Sequence, residues 1–156
     1  ASLHKQRRES YFEALEKELS PVIKRLDRDV LKLLLAMLYF GEGGKARNAS
    51  VMLGNADPDL IKLFLALLRK SYDIDESKFR CTVQCRADQD TKKLEEFWSR
   101  IAEIGLDQFY KARVDPRTYG KKTKKKDYKG VLRIDYFSAK IFHELTQLTK
   151  MIVKAV

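Results

Sequence analysis

The chain has 156 residues, of which 44% are hydrophobic, and this length suits one domain with a proper core. Lys and Arg outnumber Asp and Glu by 32 to 22, a net charge of +10, which favours a polyanionic partner such as nucleic acid. A merely solvated basic surface is the alternative. No apolar run approaches the ~18–20 residues that cross a bilayer, so we expect no signal peptide and no membrane partner.

The few cysteines and histidines restrict the chemistry. Cys81 and Cys85 are four residues apart on a predicted strand, roughly 13 Å at ~3.3 Å per residue, which is too far for a disulfide. Both are expected to be small, buried thiols of a reduced, cytoplasmic protein. Because only His4 and His143 are present, a zinc site or a Ser-His-Asp triad lacks its residues. Any catalysis would rest on carboxylates and a hard metal, with no small-molecule cofactor.

The first 26 residues are predicted to form a charged helical arm, and residues 27–156 the main domain. The helix of the arm covers 4–25 and carries only a narrow apolar stripe. Ser20 followed by Pro21 is expected to break this helix and restart it, because Ser suits an N-cap and Pro suits the first helical position.

The main domain is predicted to open with an apolar helix. Asp27 gives its start signal, and the run from Val30 to Phe40 is apolar nearly all round, which indicates a central buried helix. A strand over 46–54 follows. Asp57-Pro58-Asp59 is then a strong helix start, since it combines a cap, a first-position proline and an acid at the positive end of the helix dipole.

The rest of the chain continues the alternation. We expect a strand over 79–86, a helix from Thr91 to Glu103, an additional strand near 111–116 and a strand over 130–137. Ser138 then caps a final helix. Helices and strands in this order predict an α+β protein.

The strand over 79–86 shows a period of two. Its polar side places four hydrogen-bonding side chains on one face, namely Arg80, Thr82, Gln84 and Arg86. Sheets can enter the major groove of DNA, where Arg pairs with guanine edges and Gln with adenine edges. An ordinary solvated sheet face has the same pattern, and both interpretations stay open at this point.

The segment from Lys111 to Arg133 is the most basic part of the chain, with a local net charge of +8. Its lysine cluster follows Gly120 and is expected to be a mobile loop that binds backbone phosphates. A solubilising loop is the alternative. The predicted nucleic-acid contacts outside the polar strand face are Arg47, Arg113, Lys121, Lys122, Lys124, Lys125, Lys126 and Arg133.

Glu42 stands between glycines at the end of the apolar helix. A carboxylate there opposes the helix dipole unless a cation compensates for it. Mg²⁺ would be held by one or two carboxylates, with phosphate and water completing its coordination. Cleavage of both DNA strands would need two such acids, and hence a homodimer. Alternatively, Glu42 is a capping residue or forms a salt bridge with Lys45 or Arg47.

The run Leu35-Ala36-Met37-Leu38-Tyr39-Phe40-Gly41-Glu42-Gly43 resembles the LAGLIDADG motif of homing endonucleases, with Glu42 at the metal-binding acid. Val51 to Asn55 leading into Asp57-Pro58-Asp59 looks like the strand-then-helix passage of LAGLIDADG-like proteins. Phe97-Trp98 and Gly130-Val131-Leu132 also look like a bacterial branch of that family of unassigned function. The resemblance covers about residues 30 to 150, and only the first motif is at all specific.

The resemblance implies a LAGLIDADG-like antiparallel β saddle backed by helices, which sits on double-stranded DNA as a homodimer. Glu42 would bind Mg²⁺ at the scissile phosphate. Lys45, or another lysine near the centre of the sheet, would stabilise the developing charge. The chain departs from the pattern at Met37 and Phe40, which are bulky for a tight helix crossing, and in having Glu rather than Asp as the acid. The implied dimer contacts are Leu35, Ala36, Tyr39, Gly41 and Gly43.

Three functions remain in view from the sequence. The first is a DNA-binding protein of the homing endonuclease type, with Mg²⁺-dependent, site-specific phosphodiester cleavage. The second is a non-catalytic transcriptional regulator or a maturase-like RNA-binding protein. The third is a structural interaction domain without a nucleic-acid partner.

Overall fold

The computed structural model describes residues 2–46 and 49–156, and the chain described there is an α+β protein. Five α-helices lie in these residues: α1 Ser2–Ile23, α2 Arg28–Glu42, α3 Pro58–Ser71, α4 Thr91–Ala102 and α5 Ala139–Ala155. The four strands in the same residues are β1 Val51–Asn55, β2 Phe79–Cys85, β3 Arg113–Val114 and β4 Val131–Tyr136. Short 3-10 turns precede β2 and flank β3.

The four strands form one sheet in the order β1-β4-β2-β3. Strand β4 is central and runs antiparallel to both neighbours, with Ile134 opposite Leu53 on one side and Cys81 on the other. Strand β3 instead pairs parallel with β2. The expected purely antiparallel sheet is therefore wrong, and the sheet is mixed. The cause is α4, since the connection that contains it crosses over and returns the chain in the same direction.

The core lies where one face of the sheet meets the helices. The β2 side chains Phe79, Cys81 and Val83 are fully buried and belong to the same cluster as the apolar faces of α2 to α5. This confirms the predicted period of two in that strand. Both cysteines are free and buried, as expected. Among the described residues, no helix has the length and apolar composition needed to cross a bilayer.

Three of the predicted helix starts are confirmed by side-chain caps. The Asp27 carboxylate accepts from the backbone N–H of Val30 at 2.9 Å, starting α2. Asp57 accepts from the N–H of Asp59 at 2.9 Å, starting α3. Ser138 Oγ accepts from an N–H in the first turn of α5 at 3.2 Å. Each cap satisfies a donor that the first helical turn leaves unpaired.

Helix α1 is continuous, so the predicted break at Ser20 and Pro21 is wrong. Pro21 has no N–H to donate to the carbonyl of Lys17. Ser20 Oγ donates to that carbonyl at 3.0 Å instead, which satisfies the acceptor and lets the helix run on to Ile23. The helix contributes no buried side chain. The division of the chain near residue 26 stays a prediction.

Helix α2 is only half buried, which corrects the expectation of a central buried helix. One face contributes Leu35, Ala36 and Tyr39 to the core. The opposite face is an exposed apolar stripe, with Leu33, Leu34, Met37 and Phe40 between 40% and 49% exposed. Strand β1 also begins at Val51, later than the predicted 46, and residues 47 and 48 lie outside the described residues.

Candidate nucleic-acid interface

A basic pocket of ≈ 880 Å³ lies between the ends of β2 and β3 and the lysine-rich segment 121–128. Its floor includes Val131, which lies opposite Gln84 in the register of β2 and β4, and Tyr128 adds an aromatic side chain to the lining. Cys85 and Val114 also border the pocket, but they pack in or against the core. Its cations are Arg86, Arg113, Arg117, Lys121, Lys122, Lys124 and Lys125. Gln84 of β2 is in register with Arg113 of β3 on one side and with Val131 of β4 on the other. This pairing brings together the chain segments that carry the cations.

The positive charge of the basic pocket is largely uncompensated. Asp115 is the one carboxylate among its described lining residues, and both its oxygens accept from the Arg117 guanidinium at 3.0 Å. These hydrogen bonds hold the pKa of Asp115 below its usual range. None of the ion pairs formed within residues 2–46 and 49–156 involves the other six cations. They are therefore available to an anionic partner.

The lysine-rich segment is anchored at its centre, and its mobility stays a prediction. Thr123 donates to the Asp88 carboxylate from its backbone N–H at 2.6 Å and from its hydroxyl at 2.7 Å. The same hydroxyl accepts from Arg86 Nε at 3.1 Å. Because Thr123 donates to it, the pKa of Asp88 lies below its usual range. The lysines on either side of Thr123 are thus held beside the end of β2.

Residues just after β2 also form hydrogen bonds with the other segments that line the pocket. Gln89 accepts from the backbone N–H of Arg86 at 3.0 Å and donates to the carbonyl of Tyr128 at 2.7 Å. The N–H of Ala87 donates to Thr118 Oγ1 at 2.8 Å, in the turn after β3. The segment 86–89 therefore joins both basic loops to the sheet through hydrogen bonds.

The structure divides the predicted nucleic-acid contacts into two groups. Most of them surround the basic pocket: Gln84, Arg86, Arg113, Lys121, Lys122, Lys124 and Lys125. Lys126 is exposed on the same segment outside the lining. Arg47 lies outside the described residues.

The second group lies along the middle of the sheet, and its side chains are buried or form hydrogen bonds within the chain. Thr82 is buried, at 5% exposed, so it does not present its hydroxyl to a partner. Arg133 donates to both oxygens of Asp135 at 2.9 and 3.1 Å. Arg80 donates to the carbonyls of Ser77 and Phe79 at 2.8 and 2.7 Å. The polar face of β2 is therefore open to a partner mainly at Gln84, next to the pocket.

Glu42 is exposed at the last position of α2. Its carboxylate accepts from the Asn55 side-chain amide at 3.3 Å, beside the end of β1. Within the described residues it forms no ion pair with Lys45, whose ammonium lies 4.9 Å from the centroid of the Phe40 ring. Since β1 lies at one end of the strand order, Glu42 is beside the sheet and not at its centre.

A metal site at Glu42 is incomplete in one chain. No group of three or more His, Cys, Asp or Glu side chains within residues 2–46 and 49–156 is arranged to hold a metal ion. Mg²⁺ commonly takes only one or two protein carboxylates and fills its octahedron with phosphate and water. Glu42 fits that minimal role as a single ligand, with the remaining ligands coming from a nucleic acid and solvent.

The residues expected at a dimer interface lie mostly inside the chain. Leu35, Ala36 and Tyr39 are at most 3% exposed, in the chain's own core. A Cβ on Gly43 would overlap the Tyr39 ring, so this glycine is explained by packing within the chain. Around Gly41, by contrast, a Cβ would meet nothing within 4 Å. The surface of α2 that a second copy can contact is therefore the exposed apolar stripe.

Comparison of the chain with protein-family models, with curated proteins and with solved structures returns no match. The interpretation of the basic pocket therefore rests on its geometry and charge.

Sequence reasoning missed the residues that shape the pocket, chiefly Asp88, Gln89, Thr118, Thr123 and Tyr128. One signal was available, since Thr123 is the one residue that interrupts the lysines over 121–126. Asp88 is 35 positions away in the sequence, so the pairing depends on the tertiary fold.

Proposed function

We propose that this protein binds double-stranded DNA through the basic pocket and the lysines around it. The observation that carries the proposal is the convergence of Arg113, Lys121, Lys122, Lys124 and Lys125 on one surface with no ion pair to a carboxylate among residues 2–46 and 49–156, with Arg86 beside them. Lysines and arginines that neutralise phosphates release condensed counterions, which drives association without reading the sequence. A pocket held open by hydrogen bonds loses little conformational entropy when it binds.

Gln84 and Arg86 supply the groups that can read bases. Both line the basic pocket at the end of β2, and the Gln84 side chain is exposed. An amide can pair with an adenine edge and a guanidinium with a guanine edge in the major groove. The neighbouring lysines would hold the phosphates that fix the register. Specificity at one or two base pairs would follow from these two side chains.

The proposed assembly is a homodimer formed through the exposed apolar stripe of α2. Four large apolar side chains at 40% to 49% exposure on one helix face are a surface that association would cover. In a twofold dimer the exposed apolar stripe of one copy contacts the same stripe of the other copy. The ends of both α2 helices would then bring two copies of Glu42 to the middle of the assembly.

We further propose phosphodiester cleavage of the homing endonuclease type as a second candidate. It is favoured by the exposure of Glu42, whose hydrogen bond comes from the neutral amide of Asn55 rather than from a cation. The passage from α2 through an antiparallel bridge between Gly43 and Leu53 into β1 and α3 supports the LAGLIDADG resemblance. Bound Mg²⁺ would supply a Lewis acid at the scissile phosphate. Glu42 would hold the ion there.

The binding proposal is tested by the salt dependence of affinity for a fluorescent DNA duplex. Replacing Lys121, Lys124 and Lys125 with Ala should flatten the plot of log affinity against log salt by up to ~0.9 per lost phosphate contact. The matched control replaces three exposed lysines of α5, Lys140, Lys150 and Lys154. Both variants lose three charges. Equal slopes in the two variants would reduce the effect to net charge and exclude the pocket as the DNA site.

The cleavage proposal needs a separate assay with supercoiled plasmid and Mg²⁺. Linear product that disappears in Glu42→Gln, while duplex affinity is retained, supports the endonuclease. Tight duplex binding without nicking in either protein would leave the non-catalytic regulator as the function. Preference for an RNA duplex in the same binding assay would instead favour the maturase-like alternative.

A further inference from the structure

The basic pocket has a shape that phosphate binding alone does not require. A strip of surface lysines suffices to hold a DNA backbone. Here the cations surround a cavity of ≈ 880 Å³, which lies within the usual size of sites for small organic ligands. Its lining is partly apolar, since the half-buried Val131 and Tyr128 belong to it.

The lining combines the three kinds of group that recognise a nucleotide. Tyr128 provides an aromatic ring beside the apolar floor, on which a base can stack. Gln84 provides an amide, which offers both a donor and an acceptor to the hydrogen-bonding edge of a base. No side-chain hydrogen bond of Gln84 is formed within the described residues, and the amide is exposed. Arg86, Arg113 and the lysines provide the charge that a phosphate needs.

The backbone at Tyr128 is held by two hydrogen bonds. Gln89 donates to the carbonyl of Tyr128 at 2.7 Å, and the next carbonyl, of Lys129, accepts from Trp98 Nε1 at 2.7 Å. Trp98 is fully buried. The main chain that carries Tyr128 into the lining of the pocket is therefore tied to the core of the domain.

We propose that the basic pocket binds one nucleotide whose base is unpaired. The base lies against Tyr128 and Val131 with its edge toward Gln84, and the phosphate lies among Arg86, Arg113 and the lysines. The ligand is either an unpaired nucleotide within a DNA strand, in which case the inference rests on the proposed DNA binding, or a free mononucleotide. A fully paired duplex keeps its bases stacked and leaves the floor of the pocket unused.

The test compares affinities for two fluorescent DNA probes in solution. One is a blunt duplex, and the other is the same duplex with a single unpaired nucleotide at a 3′ end. We expect the second probe to bind about tenfold more tightly, as one stacked base would provide. Equal affinity for the two probes, together with no binding of mononucleotides, would overturn the proposal and leave duplex binding by the lysines intact.

Substitutions test whether the preference for the probe with the unpaired nucleotide comes from the pocket. Tyr128→Ala should abolish the preference for the unpaired nucleotide, whereas Tyr128→Phe should keep it because the ring remains. Tyr119→Ala is the matched control, since Tyr119 is 68% exposed and lies outside the lining. Gln84→Ala removes an exposed side chain, so the fold should survive, and the preference should fall there too. A preference that persists in both Tyr128→Ala and Gln84→Ala would contradict the proposal.

A competition arm separates the two sources of the nucleotide. The four deoxynucleoside monophosphates are added to the labelled probe with the unpaired end. Displacement of this probe supports the pocket as a site for free mononucleotides, and the blunt duplex should be displaced as well, because its phosphates use the same lysines. Binding of mononucleotides by a protein with no affinity for any DNA would end the proposed DNA binding and support the pocket alone. Absence of binding to every probe would end both.

Discussion

Thr123 donates two hydrogen bonds to the carboxylate of Asp88, from its backbone nitrogen at 2.6 Å and from its hydroxyl at 2.7 Å. This pair connects the middle of the lysine-rich segment to the turn that follows β2. It fixes where four lysines stand around the basic pocket. The pKa of Asp88 is lowered, so this contribution to stability is present above the unfolded value near 3.8 and is lost as the pH falls through the folded value.

Thr123→Val should weaken duplex affinity about five- to tenfold without changing the charge of the protein. The variant keeps the backbone hydrogen bond to Asp88 but loses both hydroxyl bonds, to Asp88 and from Arg86, so part of the ordering of the lysines must take place during binding. Fluorescence anisotropy measures the affinity, and Thr123→Ser should restore it. Thr146→Val on α5 is the control, because that hydroxyl bonds only within its own helix. Unchanged affinity in Thr123→Val would show that the anchor does not position the lysines.

Replacement by Ala should have opposite effects on stability at Gly41, which lies in α2, and at Gly43, which caps the C-terminal end of that helix. Gly43→Ala should destabilise the protein by ~1–3 kcal/mol, since its Cβ would overlap the Tyr39 ring. Gly41→Ala should stabilise it by ~0.5–1 kcal/mol, because Gly41 is helical, exposed and surrounded by open space. Urea denaturation measures both. A loss of stability in Gly41→Ala at protein concentrations that favour association would place this glycine in a tight interface.

Phe40→Glu should convert the proposed homodimer into a folded monomer. Phe40 is 49% exposed, so the fold tolerates the charge. In a twofold interface the apolar contact is lost twice, at about half of the ~1.5–3 kcal/mol for fully burying such a side chain, because the other half of Phe40 is already buried within the chain. Leu63→Glu on α3 is the control, since Leu63 is 52% exposed on another helix. Sedimentation velocity gives the mass of each. A monomeric wild type over the accessible concentration range would contradict the proposed assembly.

The cysteines should resist alkylation in the native protein at pH 8. Burial raises the pKa of Cys81 to about 12 and also raises that of Cys85, so the thiolate is scarce. Because the folded value is the higher one, the stabilisation is complete below pH 9 and declines as the pH rises toward 12. Labelling with iodoacetamide, followed by mass spectrometry, should require denaturant. Rapid labelling at pH 8 without it would show that the buried strand opens.

Features set by neighbouring residues were predictable from the sequence. The cap at Asp57 needs only the next few residues, and the alternation of β2 needs only its own side chains. The break expected at Pro21 failed because Ser20 takes over the carbonyl that proline leaves unpaired. That compensation is also local, but propensity alone does not anticipate which hydrogen bond the serine makes.

Features that depend on distant contacts were not predictable. The parallel pairing of β3 with β2 joins residues about thirty positions apart, and the two-residue strand has too little pattern to indicate its direction. The apolar run of α2 indicated burial, but not which half would face the core. The charges at 121–126 were evident, whereas the acceptor that fixes them, Asp88, lies beyond an intervening helix and strand.

Photo-crosslinking of a duplex with photoreactive pyrimidines shows which peptides of the protein touch DNA. We expect crosslinks in residues 84–86 and 113–131, the strand end and the two basic loops that form the pocket. The exposed lysines of α5 serve as an internal comparison. Crosslinks confined to α1 or α5, with none around the pocket, would contradict the proposed interface.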